Sequence, residues 1–155
     1  MNQKIYLDTS VIGGYYDDEF KIETKKIFSK INSGILKFVY SELTIKEIYR
    51  GPIRVIKLFE QFDSKNIEVV LINKEIIKLA DTYISEKVVG LSSKDDCIHI
   101  AAATISKSDF LLSWNFKHIV NEHRIYGYNA VNLLLGYSVI EIMSPIQFNN
   151  NEKNK

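Results

Sequence analysis

The stretch from Leu91 to His118, L-S-S-K-D-D-C-I-H-I-A-A-A-T-I-S-K-S-D-F-L-L-S-W-N-F-K-H, organises the rest of the chain. It reads as a helix, a tight turn, a strand and a second polar loop. The helix opens with two adjacent aspartates, Asp95 and Asp96. It then turns apolar through Cys97, Ile98, Ile100, Ala101, Ala102, Ala103 and Ile105. A helix apolar nearly all round is a buried helix. Carboxylates at the mouth of such a helix are costly unless capped, paired or bound to a cation. Ser92 and Asp95, and Ser93 and Asp96, each have the spacing of a helix cap, and acids suit helix N-termini. One acid suffices for that role. The other is superfluous as a cap and is a candidate ligand.

Downstream, Asp109 to Ser113 reads as a strand. Trp114 to Leu135 reads as mostly helical with a break near Gly127, and Val139 to Ile142 as a last strand ended by Pro145. Residues 147–155 are polar enough to be expected as a disordered tail on a single domain spanning 1–146.

Upstream, Lys4 to Leu7 is a short strand with Asp8 at its end, followed by a loop or short helix at Thr9, Ser10, Gly13 and Gly14. The acids Asp17, Asp18 and Glu19 open a helix to about Ile31. Ile35 to Tyr40 is a strand, and Ser41 caps a helix to about Arg50. Gly51-Pro52 breaks it and begins another through about Phe62. Glu68 to Ile72 reads as a buried strand, and Asn73 caps a long helix to about Val88. Strands alternating with helices predict an α/β fold, a three-layer α/β/α sandwich around a mainly parallel sheet. Ligand sites in such folds lie outside the C-terminal strand ends, near the switch in strand order. Asp8 and Trp114-Asn115 lie at such ends.

The chain has 155 residues, enough for one domain with a core, and a net charge of +1. No global basic field announces a nucleic acid, so any such binding must use a local patch. The single cysteine, Cys97, excludes an internal disulfide and a cysteine zinc cluster. No apolar run approaches the roughly 18 residues of a membrane span. The N-terminus lacks the apolar core of a secretory signal, so the expectation is a cytoplasmic protein without a membrane partner.

Each polar candidate has a structural reading beside the functional one. Asp8 could bind a hard cation, or could simply accept the amides of Thr9 or Ser10 in a turn. Glu47, in T-I-K-E-I-Y-R-G, lies off the apolar arc of Ile45, Ile48 and Tyr49, which suits a cleft rim or plain solvent. Asn115 could cap the turn after Trp114 or orient a metal-bound water through its amide oxygen. His99, His118 and His123 have no zinc-ligand spacing, and His99 reads as a hydrogen-bonded residue near the site. No Gly-rich phosphate loop or G-x-S-x-G elbow is present.

Four blocks, I-Y-L-D-T-S-V-I, S-E-L-T-I-K-E-I, D-D-C-I-H-I-A-A-A and D-F-L-L-S-W-N-F-K-H, occur in the order found in PIN domains. The chain resembles that family, and within it the VapC-like toxin ribonucleases. G-Y-S-V-I-E-I-M-S-P resembles the family's last strand. The resemblance implies an endoribonuclease, a hydrolase of RNA phosphodiesters that uses clustered carboxylates with Mg²⁺ or Mn²⁺. It implies a type II toxin with a cognate antitoxin and a possible homodimer. Carried over by position, Asp8, Glu47 and Asp96 are the catalytic acids and metal ligands, and Asp95 is a peripheral neighbour. Asn115 stands where the family often has a fourth aspartate. Being neutral, it removes a charge that a second tightly held metal would use.

Two other readings compete. One is a degenerate module of the same fold that binds RNA or a protein without cleaving. The other is a phospho-acceptor domain, which needs an aspartate at the end of a central strand. E-V-V-L-I ends instead in Asn73-Lys74.

Overall fold

A computed structural model describes residues 2–62 and 64–153. Its sheet contains β1 (Gln3–Leu7), β2 (Leu36–Ser41), β3 (Ile67–Val70), β4 (Phe110–Leu112) and β5 (Glu141–Met143). All four pairings are parallel, in the order β3-β2-β1-β4-β5. The chain builds outward from β1 on one side, then returns to add β4 and β5 on the other. The order therefore switches between β1 and β4, where Ile5, Tyr6 and Leu7 pair with Phe110, Leu111 and Leu112. A crevice is expected outside the C-terminal ends of those two strands.

The helices are α1 (Thr9–Gly14), α2 (Lys21–Asn32), α3 (Glu42–Ile48), α4 (Ile53–Glu60), α5 (Lys74–Ser85), α6 (Lys94–Ile105), α7 (Glu122–Leu134) and α8 (Pro145–Lys153). They cover both faces of the sheet. Strand side chains alternate between faces. Ile5 and Leu7 accordingly join a core with Val11, Ile12, Ile27, Phe28 and Phe59, while Tyr6 turns to the opposite core with Ala80, Tyr83, Ala101 and Tyr128. The three-layer α/β/α arrangement is the one read from the sequence. α6 is the buried helix of that reading: every residue from Cys97 to Thr104 is buried. Among the described residues, no helix is long and apolar enough to cross a membrane.

Four elements depart from expectation. β3 is the sheet edge and only half-buried, not a buried or central strand. Its apolar run covers one face at the margin instead of filling the middle. The helix expected from Trp114 starts only at Glu122. Residues 114–121 fold as turns in which the Asn115 carbonyl accepts from Ile119 N at 3.2 Å and Val120 N at 2.8 Å, and Asn121 then caps α7 by accepting from Arg124 N. Gly127 does not break α7. A Cβ there would lie 2.7 Å from Val88 Cγ1, so the glycine lets the helix pack close to the chain that follows α5.

The tail expected to be disordered is helical through Lys153; residues 154 and 155 lie outside the described residues. Pro145 begins α8 with its ring pre-set for the first turn. Ser144 and Gln147 cap it reciprocally, at 3.2 and 2.9 Å. Phe148, 1% exposed, packs edge-on against Phe110. Asn149 Nδ2 donates to the Glu23 side chain at 2.6 Å. One aromatic anchor and two polar fastenings hold a segment whose composition is otherwise that of a solvated tail.

Candidate active site

β1 ends at Leu7, and Asp8 follows as the N-cap of α1, accepting from Val11 N through Oδ1. The amide it caps is thus Val11, not Thr9 or Ser10. Ser10 Oγ donates to the same oxygen at 2.6 Å, and Ser113 Oγ, just past β4, donates to Oδ2 at 2.6 Å. Asp8 is 4% exposed. Burial raises its pKa despite the opposing charge of His99 and the hydrogen bonds from Ser10, Ser113 and Val11. It is at once a cap and a desolvated acid at the switch point.

Ser113 joins the two strand ends. Besides holding Asp8, its Oγ accepts from Asn115 N at 2.9 Å. Asn115 Oδ1 accepts from Lys117 N at 3.2 Å and His118 N at 3.0 Å, so it caps its own turn. Those two donors fix the amide orientation and leave Nδ2 toward Asp96, 3.4 Å from Oδ2. The amide oxygen expected to orient a water is thus bonded to backbone.

Asp96 sits in the first turn of α6, half-buried, while Asp95 beside it is exposed. Ser93 is the N-cap, but its side chain makes no capping bond. Burial raises the Asp96 pKa, and Asp8 raises it further; His99 and His118 oppose, and Glu47 adds to the rise. Asp8 and Glu47, both far from Asp96 in sequence, therefore both act on it electrostatically.

Glu47 lies on α3 and is not a freely solvated surface acid. Its Oε1 accepts from Thr9 Oγ1 at 2.8 Å and from His99 Nε2 at 2.6 Å. Burial raises its pKa, but the bond and charge of His99, with Thr9 and Arg50, outweigh that and lower it overall. His99, one turn beyond Asp96, is 3% exposed, and its Nδ1 lies 2.7 Å from Tyr6 Oη. Tyr6 in turn donates to Ser41 Oγ at 2.8 Å. Burial disfavours a charged His99, yet Tyr6, Glu47 and Asp8 together push its pKa up to about 10. As imidazolium it donates at both nitrogens, to Glu47 and to Tyr6.

Tyr6 and Ser113 carry no functional reading in the sequence, and Ser41 reads there only as the cap of α3. The available signal was a phenol or hydroxyl in otherwise apolar strand sequence, which is costly to bury unless bonded.

Among the described residues, no three His, Cys, Asp or Glu side chains are gathered into a ready metal-ligand set. The donor chemistry nevertheless suits a hard divalent cation. The donors are carboxylate oxygens, burial raises the pKa of both aspartates, and Asp8 adds to the rise at Asp96. Cys97 is buried in the core and both His99 nitrogens are engaged, so neither residue offers zinc a free ligand.

The PIN domain model matches residues 5–115, most of the chain and all four candidate positions. The chain belongs to the PIN domain family. This PIN domain shares its fold with a chain of VapBC2 from Rickettsia felis, a structure solved bound to a DNA fragment from their promoter. The likeness has a TM-score of 0.58 at 10% identity and covers 92% of this chain and 98% of that one. No curated protein matches the sequence.

Proposed function

We propose that this PIN domain is a divalent-metal-dependent endoribonuclease and the toxin half of a toxin–antitoxin pair. The observation that supports the reading is the electrostatic coupling of Asp96, in the first turn of α6, to Asp8 after β1 and to Glu47 on α3. An acid raised by burial and by two other acids, in a chain of this family, is a place where a cation would relieve the repulsion.

Asp8, Asp96 and Glu47 would hold Mg²⁺ or Mn²⁺. When bound, such an ion lowers the pKa of water and offsets charge developing on the phosphate. The chain's own residues fix the acids. Ser10 and Ser113 clamp the two oxygens of Asp8, Thr9 and His99 share one oxygen of Glu47, and Asn115 approaches Asp96. Hydrogen-bonded carboxylates held in this way need little reorganisation when substrate arrives. Lys46 and Arg50, close to Glu47 in sequence, and Lys117, close to Asn115, are candidates for phosphate contacts. The partner reading is supported by the VapBC2 neighbour, itself a complex.

The test is Mn²⁺-dependent cleavage of single-stranded RNA by the purified protein. Asp8→Asn and Asp96→Asn are expected to fold and to lose on the order of a hundredfold or more in rate. A wild type that binds RNA but neither cuts it nor binds Mn²⁺ would favour the degenerate module. Variants that cut as fast as wild type would remove the assigned site.

A further inference from the structure

We propose that His99, braced by Tyr6, is a positioning residue that sets the Glu47 carboxylate for the metal-dependent reaction; this rests on the nuclease reading above. Glu47 comes from a short helix, and its side chain is 30% exposed. Left alone, a glutamate there would keep its rotamer freedom. Two donors on one oxygen remove that freedom. Thr9, next to Asp8 in the chain, supplies one, and His99 supplies the shorter bond. Neither donor is bonded to Oε2, so that oxygen is left for a ligand.

His99 is itself fixed from behind. Its other nitrogen meets the Tyr6 hydroxyl, and the two rings pack edge-on at 5.7 Å and 67°. Tyr6 is fully buried and tied to Ser41 on the neighbouring strand. The ring is therefore held in plane and in tilt by the sheet. Strand alternation makes this possible, since Tyr6 points to the α6 face while Ile5 and Leu7 point away. His99 also follows Asp96 by three residues, which places both on one face of α6. One helix thus presents one acid directly and orients another through its histidine. A buried histidine needs partners on both ring nitrogens, and here one of those partners is the Glu47 carboxylate itself.

The experiment compares His99→Leu, His99→Gln and Tyr6→Phe with wild type. Mn²⁺ affinity is measured by calorimetry, and kcat and KM on RNA are measured in parallel. Removing a residue that orients a metal ligand costs about 10–100-fold in metal affinity or activity. His99→Leu is expected to lose Mn²⁺ affinity and kcat in that range, with KM for RNA little changed. His99→Gln, whose amide N–H can still reach Glu47, is expected to recover part of the loss, and Tyr6→Phe to show an intermediate one. In a Glu47→Gln background, His99→Leu is expected to add nothing, because it acts through Glu47. Should His99→Leu not fold, the Gln and Phe variants carry the same comparison. Wild-type Mn²⁺ affinity and kcat in folded His99 variants, or full additivity with Glu47→Gln, would overturn the positioning role and leave the nuclease reading standing. A wild type that neither binds Mn²⁺ nor cuts RNA would overturn both.

Discussion

Asn115 uses both ends of its amide, the oxygen on Lys117 N and His118 N and the nitrogen toward Asp96. The local role was legible, since an asparagine after a strand and before a polar loop is a common cap. The Asp96 contact was not, because it depends on α6 lying across β4. The same holds for the other residues of the site. The acids stood out as charges beside apolar runs, whereas Tyr6 and Ser113 acquire meaning only once the fold brings His99 and Asp8 to them. Asn115→Asp keeps an oxygen for both caps but places a carboxylate against Asp96. Without metal it is expected to lower the melting temperature. With Mn²⁺ it is expected to leave cleavage unchanged or faster and to tighten binding about tenfold, or ~1.4 kcal/mol. Calorimetric titration with Mn²⁺ reads the change, and weaker binding than wild type would count against a metal beside Asp96.

At the scale of elements, periodicity located the sheet and most helices because burial dictates it. α6 could be read from Ile98 to Ile105 without any tertiary knowledge. The failures have a common physical cause in single residues whose purpose lies in a neighbour. Gly127 reads as a helix breaker, yet it serves the approach of Val88. Phe148 is one aromatic in a polar run, yet it anchors α8. Gly127→Ala separates the two meanings of that glycine. Helix propensity alone would stabilise by about 1 kcal/mol. Crowding against Val88 is expected to win and destabilise by about 1–3 kcal/mol. Thermal denaturation decides by the sign.

At the scale of the molecule, the net charge of +1 conceals a local imbalance, an acidic centre with one buried histidine among its acids. That centre sets the expected pH dependence. Asp8 and Asp96 titrate above the ordinary 3.8 because burial disfavours their charge. The stability they confer is full below that value and is lost as pH rises through their folded pKa values. His99 has the same sign: its contribution is full below 6.5 and is lost as pH climbs through about 10. Glu47, lowered from 4.5, runs the other way, its contribution present above that value and lost as pH falls. Metal-free protein is therefore expected to lose stability from mild acid toward alkali, and a bound cation to restore it. The most direct test is the melting temperature at neutral pH with saturating Mn²⁺ and with chelator, for wild type and Asp8→Asn. At a hundredfold excess over Kd, binding adds about 2.7 kcal/mol, roughly 5–10 °C for a chain of this size. The account expects that rise in wild type and its loss in Asp8→Asn; no rise in wild type, or the same rise in both, would contradict it.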